Sequence, residues 1–154
     1  MKIKGFTLIE ILVAVSIITV GIVGIYAIIP RVVTITSDNI DKFIASQLAK
    51  EGIEIVRNIR DKNQLNVLAF NNGLTNCSEG CEIDYNDVSL ASYSARPLKI
   101  DSNGFYNYET GEDTKFKRKI TIVQDVDILD INIEIIRPEE DSFFQTKEKL
   151  YNWR

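Results

Sequence analysis

The segment GFTLIEILVAVSIITVGIVGIYAIIP (residues 5–30) decides how this chain is organised. Within it, residues 11–29 carry no charge, and as an α-helix they would span about 28 Å, close to the hydrocarbon thickness of a bilayer. Lys2 and Lys4 precede the run without an acidic residue, and positive charge on this side favours a cytoplasmic N-terminus. The sequence therefore predicts a membrane-spanning helix with the rest of the chain outside the cytoplasm.

Two ordinary explanations of this segment are a secretory signal peptide and a plain signal anchor. A signal peptide would have a shorter apolar region and a small-residue cleavage site, whereas this run ends in IIPR (residues 28–31). A signal anchor fits the hydropathy but leaves Glu10 unexplained, because a carboxylate in an apolar segment costs ~2.5–3.5 kcal/mol on insertion. On physical grounds Glu10 is either a functional group with a partner or a side chain that stays hydrated near the headgroups.

The sequence GFTLIE (residues 5–10), after a short lysine-containing leader and before an apolar run, resembles the class III signal of type IV pilins and pseudopilins. The resemblance implies that a prepilin peptidase cuts between Gly5 and Phe6 and then N-methylates Phe6. It also implies that the Glu10 carboxylate pairs with the Phe6 ammonium of a neighbouring subunit when a filament assembles. The mature chain would carry 16 basic and 22 acidic side chains, a net charge of −6.

Beyond Pro30 the apolar residues recur at helical spacing, which predicts a helix from about residue 6 to about residue 62, kinked near Pro30. The expected apolar stripe consists of Val33, Ile40, Phe43, Ile44, Leu48, Ile53, Ile55, Val56 and Ile59. From residue 98 onward, turn residues alternate with strand-like segments, as in a β-meander. The resemblance then implies an α+β pilin fold, in which the long helix packs on a four-stranded antiparallel sheet.

These expectations divide the chain into a leader peptide (1–5), a transmembrane and filament-core helix (6–30) and a globular domain (31–154). Within the globular domain we expect an amphipathic helix (31–62), a loop region (63–97) and the antiparallel β-meander (98–154). Trp153 is interpreted as an aromatic residue of the core or of a sheet edge.

Cys77 and Cys81 lie in the loop region. If the domain is outside the cytoplasm, the pair is in an oxidising compartment, and a disulfide would stabilise the fold by about 2 kcal/mol. Free thiols and a redox pair are the alternatives, but no thioredoxin-like context surrounds the two residues. We therefore expect a structural disulfide.

Several kinds of chemistry have little support in this sequence. The chain has no histidine and a formal net charge of −4, which excludes His-dependent catalysis and argues against broad nucleic-acid binding. Asp125, Asp127 and Asp130 lack the pattern of an EF-hand and are interpreted as an acidic turn rather than a calcium site. A basic cluster, Lys115, Lys117, Arg118 and Lys119, is interpreted as charges that protect an edge strand rather than as a DNA-binding patch. We expect no enzyme activity, no cofactor and no metal.

The function that the resemblance implies is a structural subunit, most similar to a PilV-type minor pilin, of a type IV pilus or related filament. Its partners would be the prepilin peptidase, other pilin subunits, the inner-membrane assembly platform and, before assembly, membrane lipid. It would be a single-pass inner-membrane protein that later enters the filament. The alternatives are a pseudopilin of a type II secretion or competence system and, in another class, a membrane-anchored binding domain that forms no filament.

Overall fold

The computed structural model of the protein describes residue 5, residues 7–138 and residues 140–153. The chain divides into two compact units, Met1–Asp41 and Lys42–Arg154. One α-helix, α1 (Leu8–Leu65), provides most of the first unit and the beginning of the second. The predicted long helix is therefore confirmed, and it ends three residues later than expected.

The first unit is a helix whose side chains are all exposed from Thr7 to Ser37. Its hydroxyl groups donate to backbone carbonyls four residues earlier, as in the 2.7 Å bond from Thr19 Oγ1 to the Val15 oxygen. The helix continues through Pro30, whose carbonyl accepts a 3.1 Å hydrogen bond from Thr34 Oγ1. Because these hydroxyls are satisfied within the helix, they add little polar cost to a surface that is otherwise apolar.

The second half of α1 buries one face in the core of the second unit. The buried residues on this face are Ala45, Leu48, Ala49, Gly52, Ile53, Ile55, Val56 and Ile59. The predicted apolar stripe is wrong at its N-terminal end, where Val33, Ile40 and Phe43 are exposed. Helical spacing alone marks a possible apolar face, but only a facing sheet makes it a buried one.

Among the residues that the structure describes, the rest of the second unit forms eight β-strands. They are β1 (Cys81–Glu82), β2 (Ala91–Ser92), β3 (Lys99–Ile100), β4 (Tyr106–Asn107), β5 (Glu112–Asp113), β6 (Lys117–Asp125), β7 (Ile128–Arg137) and β8 (Glu140–Tyr151). Five of them form the main antiparallel sheet in the order β2-β1-β6-β7-β8, and the other three form a small sheet in the order β4-β3-β5.

The α+β architecture is confirmed, with five strands in the main sheet instead of four. The difference arises because the loop region 63–97 contributes β1 and β2, each only two residues long. Conversely, β3, β4 and β5, which lie in the first part of the expected meander, form the small sheet and are not part of the main one. Two-residue strands have no measurable alternation of polarity, so the sequence pattern could not reveal them.

Three residues of the basic cluster, Lys117, Arg118 and Lys119, lie on the interior strand β6, and Lys115 precedes it, which corrects the prediction that the cluster protects a sheet edge. Strand β6 pairs with β7 over its whole length, and Cys81 of β1 pairs with Ile120 on its other side. Arg118 faces the core and is fully buried, whereas Lys117 and Lys119 lie on the opposite face of the strand. The four cations therefore do not form one patch.

Gly52 marks the closest approach of α1 to the main sheet. A Cβ atom at this position would stand 2.9 Å from Ile133 Cδ1 and 3.3 Å from Arg118 Cδ. A side chain would need to displace these core atoms, so glycine allows the helix backbone to lie directly on the sheet. Packing at Gly52 thus fixes the helix against β6 and β7.

Candidate functional site

The helix begins with a capping box formed by Thr7 and Glu10. Glu10 Oε2 accepts hydrogen bonds from the backbone nitrogen and the hydroxyl of Thr7, each 2.8 Å long. The Glu10 backbone nitrogen in turn lies 3.4 Å from Thr7 Oγ1. This reciprocal pattern satisfies two amide groups that the first turn of a helix leaves without partners. No capping role was predicted for Thr7, although the spacing T-x-x-E is the usual sequence signature of this cap.

Gly5 lies before the helix, outside regular secondary structure, and is exposed. No described atom lies within 4 Å of the place where a Cβ of Gly5 would stand. Phe6 and the leader residues 1–4 lie outside the described residues, and with them the predicted cleavage partner, the methylation site and the ammonium partner of Glu10. The structure thus places Gly5 and Glu10 at the start of the helix and leaves the role of Phe6 a prediction.

Glu10 shares a shallow groove on the helix surface with apolar side chains. The groove is lined by Ile9, Glu10, Val13, Ala14 and Ile17. Among the described residues, α1 is the one helix long and apolar enough to cross a membrane, and the apolar stretch responsible is not buried within the chain. A carboxylate on such a surface is expensive in lipid unless a partner accompanies it.

Cys77 and Cys81 form a disulfide, with their Cα atoms 5.3 Å apart. Both residues are buried in the core, and the carbonyl of Cys77 accepts a hydrogen bond from the Ile122 nitrogen of β6. The bridge joins Cys77 to Cys81 of β1, and the hydrogen bond to the Cys77 carbonyl links this loop to β6, the central strand of the main sheet. This position is typical of a structural disulfide rather than of an exposed, reactive pair.

A buried polar network connects the helix, the loop region and β6 through Arg118. Its guanidinium donates to the carbonyls of Leu48, at 3.1 Å, and Ile83, at 2.6 Å, and lies 3.6 Å from the Glu51 carboxylate. Burial raises the pKa of Glu51, an effect that the nearby Arg118 charge opposes. The Tyr108 hydroxyl donates to the Arg118 carbonyl, and burial raises the pKa of this phenol to about 12. These groups hold three segments together, an arrangement typical of structural support.

The three aspartates of the acidic turn do not converge on one point. Asp130 pairs with Lys149 at 3.1 Å, and Asp127 accepts hydrogen bonds from the backbone and side chain of Asn152. Asp125 accepts from the backbone of Val126. Among the residues that the structure describes, no group of three or more Cys, Asp or Glu side chains is arranged to hold a metal ion.

Trp153 is 66% exposed and is therefore not a core residue, and it follows β8, the edge strand of the main sheet. It borders a cleft of about 360 Å³ that is also lined by Asp61, Gln64 and Leu65 from the last turn of α1. No pattern in the sequence pointed to this cleft. The helical spacing of Asp61, Gln64 and Leu65 puts them on one face, but only the fold brings Trp153 beside them.

Residues 1–26 match the family model of the prokaryotic N-terminal methylation motif. No curated protein and no solved structure gives a significant match to the chain. The match covers the lysine-containing leader, the predicted cleavage position and most of the apolar run. Residues 1–26 therefore carry a class III prepilin signal, the N-terminal signal of type IV pilins and pseudopilins.

Proposed function

We propose that this protein is a structural subunit, specifically a minor one, of a type IV pilus or a related filament. The observation that carries the proposal is the N-terminal methylation motif at residues 1–26. The motif serves a prepilin peptidase, which would cut after Gly5 and methylate the new N-terminus at Phe6. Before assembly the apolar half of α1 would hold the chain in the inner membrane, with the second unit outside the cytoplasm.

The exposed apolar half of α1 supports assembly with other pilin subunits. No part of its most apolar stretch is buried within the chain, so this surface needs an apolar environment from outside. Lipid provides that environment before assembly, and the helices of neighbouring subunits would provide it in a filament. A membrane-anchored domain that forms no filament would need only the lipid.

Glu10 supports an ordered assembly. Both hydrogen bonds from Thr7 reach the same carboxylate oxygen, Oε2, and an ionised carboxylate can accept further donors. In a filament core we expect the added donor to be the Phe6 ammonium of a neighbouring subunit. Because an unpaired carboxylate is costly at low dielectric, such a pair would favour one axial register over others.

We infer a structural role rather than a catalytic one. The chain contains no histidine, and the buried Arg118 pairs with the partly buried Glu51 inside the fold. The partners of the protein would be the peptidase, the inner-membrane assembly platform and other subunits of the same filament.

The experiment that tests this function is mass spectrometry of the N-terminus after co-expression with a prepilin peptidase. We expect a chain that begins at Phe6 and carries one added methyl group. A matched culture without the peptidase, and a Gly5→Leu variant with it, should both keep the leader. A chain that retains residues 1–5 beside an active peptidase would contradict the proposal and favour the simple membrane anchor.

The minor role is tested by the proportion of this chain in purified filaments. We expect a trace amount relative to the main subunit, and filaments made chiefly of this chain would contradict the minor role. A Glu10→Ala variant should be cleaved as before but enter filaments much less. Equal incorporation of the variant and the wild type would contradict the register role of Glu10.

A further inference from the structure

We propose that the cleft beside Trp153 binds a neutral saccharide. The cleft is lined by Asp61, Gln64, Leu65 and Trp153, and we call it the Trp153 cleft. Its volume of about 360 Å³ lies within the range of small-molecule sites, roughly 300–1,000 Å³. It lies wholly within the second unit and shares no residue with the N-terminal signal, so this proposal is independent of the filament function.

The backbone that leads to the exposed Trp153 is anchored to the fold. The preceding residues are tied down, because Arg60 Nη1 donates to the Tyr151 carbonyl at 3.2 Å and the Asn152 nitrogen donates to the Asp127 carbonyl at 2.9 Å. The Asn152 side chain adds a 3.1 Å bond to Asp127 Oδ1. An exposed indole on an anchored backbone loses little conformational entropy on binding, which favours its use as a binding platform.

The cleft combines apolar walls with hydrogen-bonding groups. Leu65 is 83% exposed and Trp153 is 66% exposed, and both border the same space as the Asp61 carboxylate, whereas the amide atoms of Gln64 are themselves buried. A sugar ring has the matching chemistry, since its C–H groups pack on the electron-rich face of an aromatic ring and its hydroxyls bond to carboxylates and amides. A purely apolar side chain would instead remove water from the Asp61 carboxylate without replacing it.

The charge of the cleft favours a neutral ligand over a cation. An aromatic face beside a carboxylate could also hold an ammonium group. Here, however, Asp61 Oδ1 already lies 2.6 Å from Arg60 Nε, and this pair neutralises the carboxylate. An incoming cation would meet the Arg60 charge, whereas sugar hydroxyls can bond to Asp61 without displacing its partner.

Trp153 is the single tryptophan of the chain, so its fluorescence reports directly on the cleft. The full chain would be held in a polyoxyethylene detergent, which has no sugar headgroup, and titrated with glucose, galactose, mannose, N-acetylglucosamine, N-acetylgalactosamine and disaccharides of each. We expect at least one of these sugars to shift the emission with a saturable dependence on concentration. No shift with any sugar, or a shift with choline or an apolar peptide alone, would overturn the proposal.

Variants then test whether the bound sugar lies in the cleft, with saturation-transfer NMR on the sugar as the readout. Trp153→Ala and Asp61→Ala should each weaken binding about tenfold or more, as for central residues of binding sites. The matched control is Phe105→Ala, which removes one ring of the exposed Tyr85–Phe105 stack elsewhere on the same unit. Thermal unfolding would confirm that each variant is folded. Equal weakening by the control, or unchanged binding in Trp153→Ala, would refute the assignment.

Discussion

The two halves of α1 are parts of one helix, but their apolar side chains differ in whether the chain itself buries them. From Thr7 to Ser37 every side chain is exposed, whereas from Ala45 to Ile59 one face is buried in the core of the second unit. Both halves contain several isoleucines, but charged residues are rare in the first half and frequent in the second. The difference shows that the first half depends on lipid or on other subunits, and the second on its own chain.

The largest expected effect comes from removing apolar volume in the packed half. Ile133 lies in the core and faces Gly52, so Ile133→Ala should reduce the free energy of unfolding by about 3–4 kcal/mol. Ile25→Ala in the exposed half should change it by less than about 0.5 kcal/mol. Denaturant unfolding of the full chain in detergent measures both. Similar losses in the two variants would show that the halves are not energetically distinct.

The buried hydrogen bonds of Arg118 also distinguish the packed half, and we expect their removal to cause the second-largest loss of stability. Arg118→Met keeps much of the side-chain volume but leaves the Ile83 carbonyl without its donor and Glu51 without its cation. We expect a loss of about 2–3 kcal/mol in the free energy of unfolding. Lys117→Met, on the opposite face of the same strand, is the matched control and should cost under about 0.5 kcal/mol. If both variants unfold at the same denaturant concentration, the contacts of Arg118 do not stabilise the fold as proposed.

Glycine substitutions should act in opposite directions in the two halves. Gly52→Ala introduces a methyl group 2.9 Å from Ile133 Cδ1, and we expect a net loss of about 1 kcal/mol after the gain in helix propensity. Gly21→Ala meets open space and should only favour the helix. Thermal unfolding checks the first variant and circular dichroism checks the second. A stabilising Gly52→Ala would mean that the helix does not lie as close to the sheet as the structure indicates.

The smallest effect is a pH dependence confined to the packed half. Burial raises the pKa of Glu51 in the folded state, so the folded chain keeps a proton that the unfolded chain releases above the usual pKa of 4.5. The contribution of Glu51 to stability therefore falls as the pH rises through this window, until the folded carboxyl also ionises. In Glu51→Gln this pH dependence should be absent. The variant should therefore gain stability relative to wild type as the pH rises. Parallel stability curves for the two proteins would contradict the shift.

Strong periodicity predicted the larger elements well. The long apolar and amphipathic runs gave α1, and the alternation of Ile120 and Ile122 with polar neighbours predicted β6. The short strands β1, β2 and β5 were missed, and β3 and β4 were expected in the main sheet, because pairing over two residues depends on backbone contacts that no side-chain pattern records. The number of strands in the main sheet could therefore not be derived from spacing.

The candidate sites divide in a similar way. The signal at residues 5–10 is local in sequence, so residue type and spacing were enough to assign its members. Arg118 and Trp153 were misjudged because their roles depend on distant partners, Leu48 and Ile83 for one and Asp61 for the other. Residue type suggested charges at a sheet edge for the one and an aromatic of the core or of a sheet edge for the other, whereas tertiary packing buries Arg118 and leaves Trp153 exposed.

The capping box at the start of α1 has a consequence for maturation. Thr7 and Glu10, which donate and accept its hydrogen bonds, both follow Gly5 in the chain. A cut after Gly5 would remove two lysines and create a new ammonium group, yet it would take away no atom of the cap. The first turn of the helix would thus be the same in the precursor and in the processed protein. Maturation would change the charge that the membrane-facing end presents while leaving the helix itself unaltered.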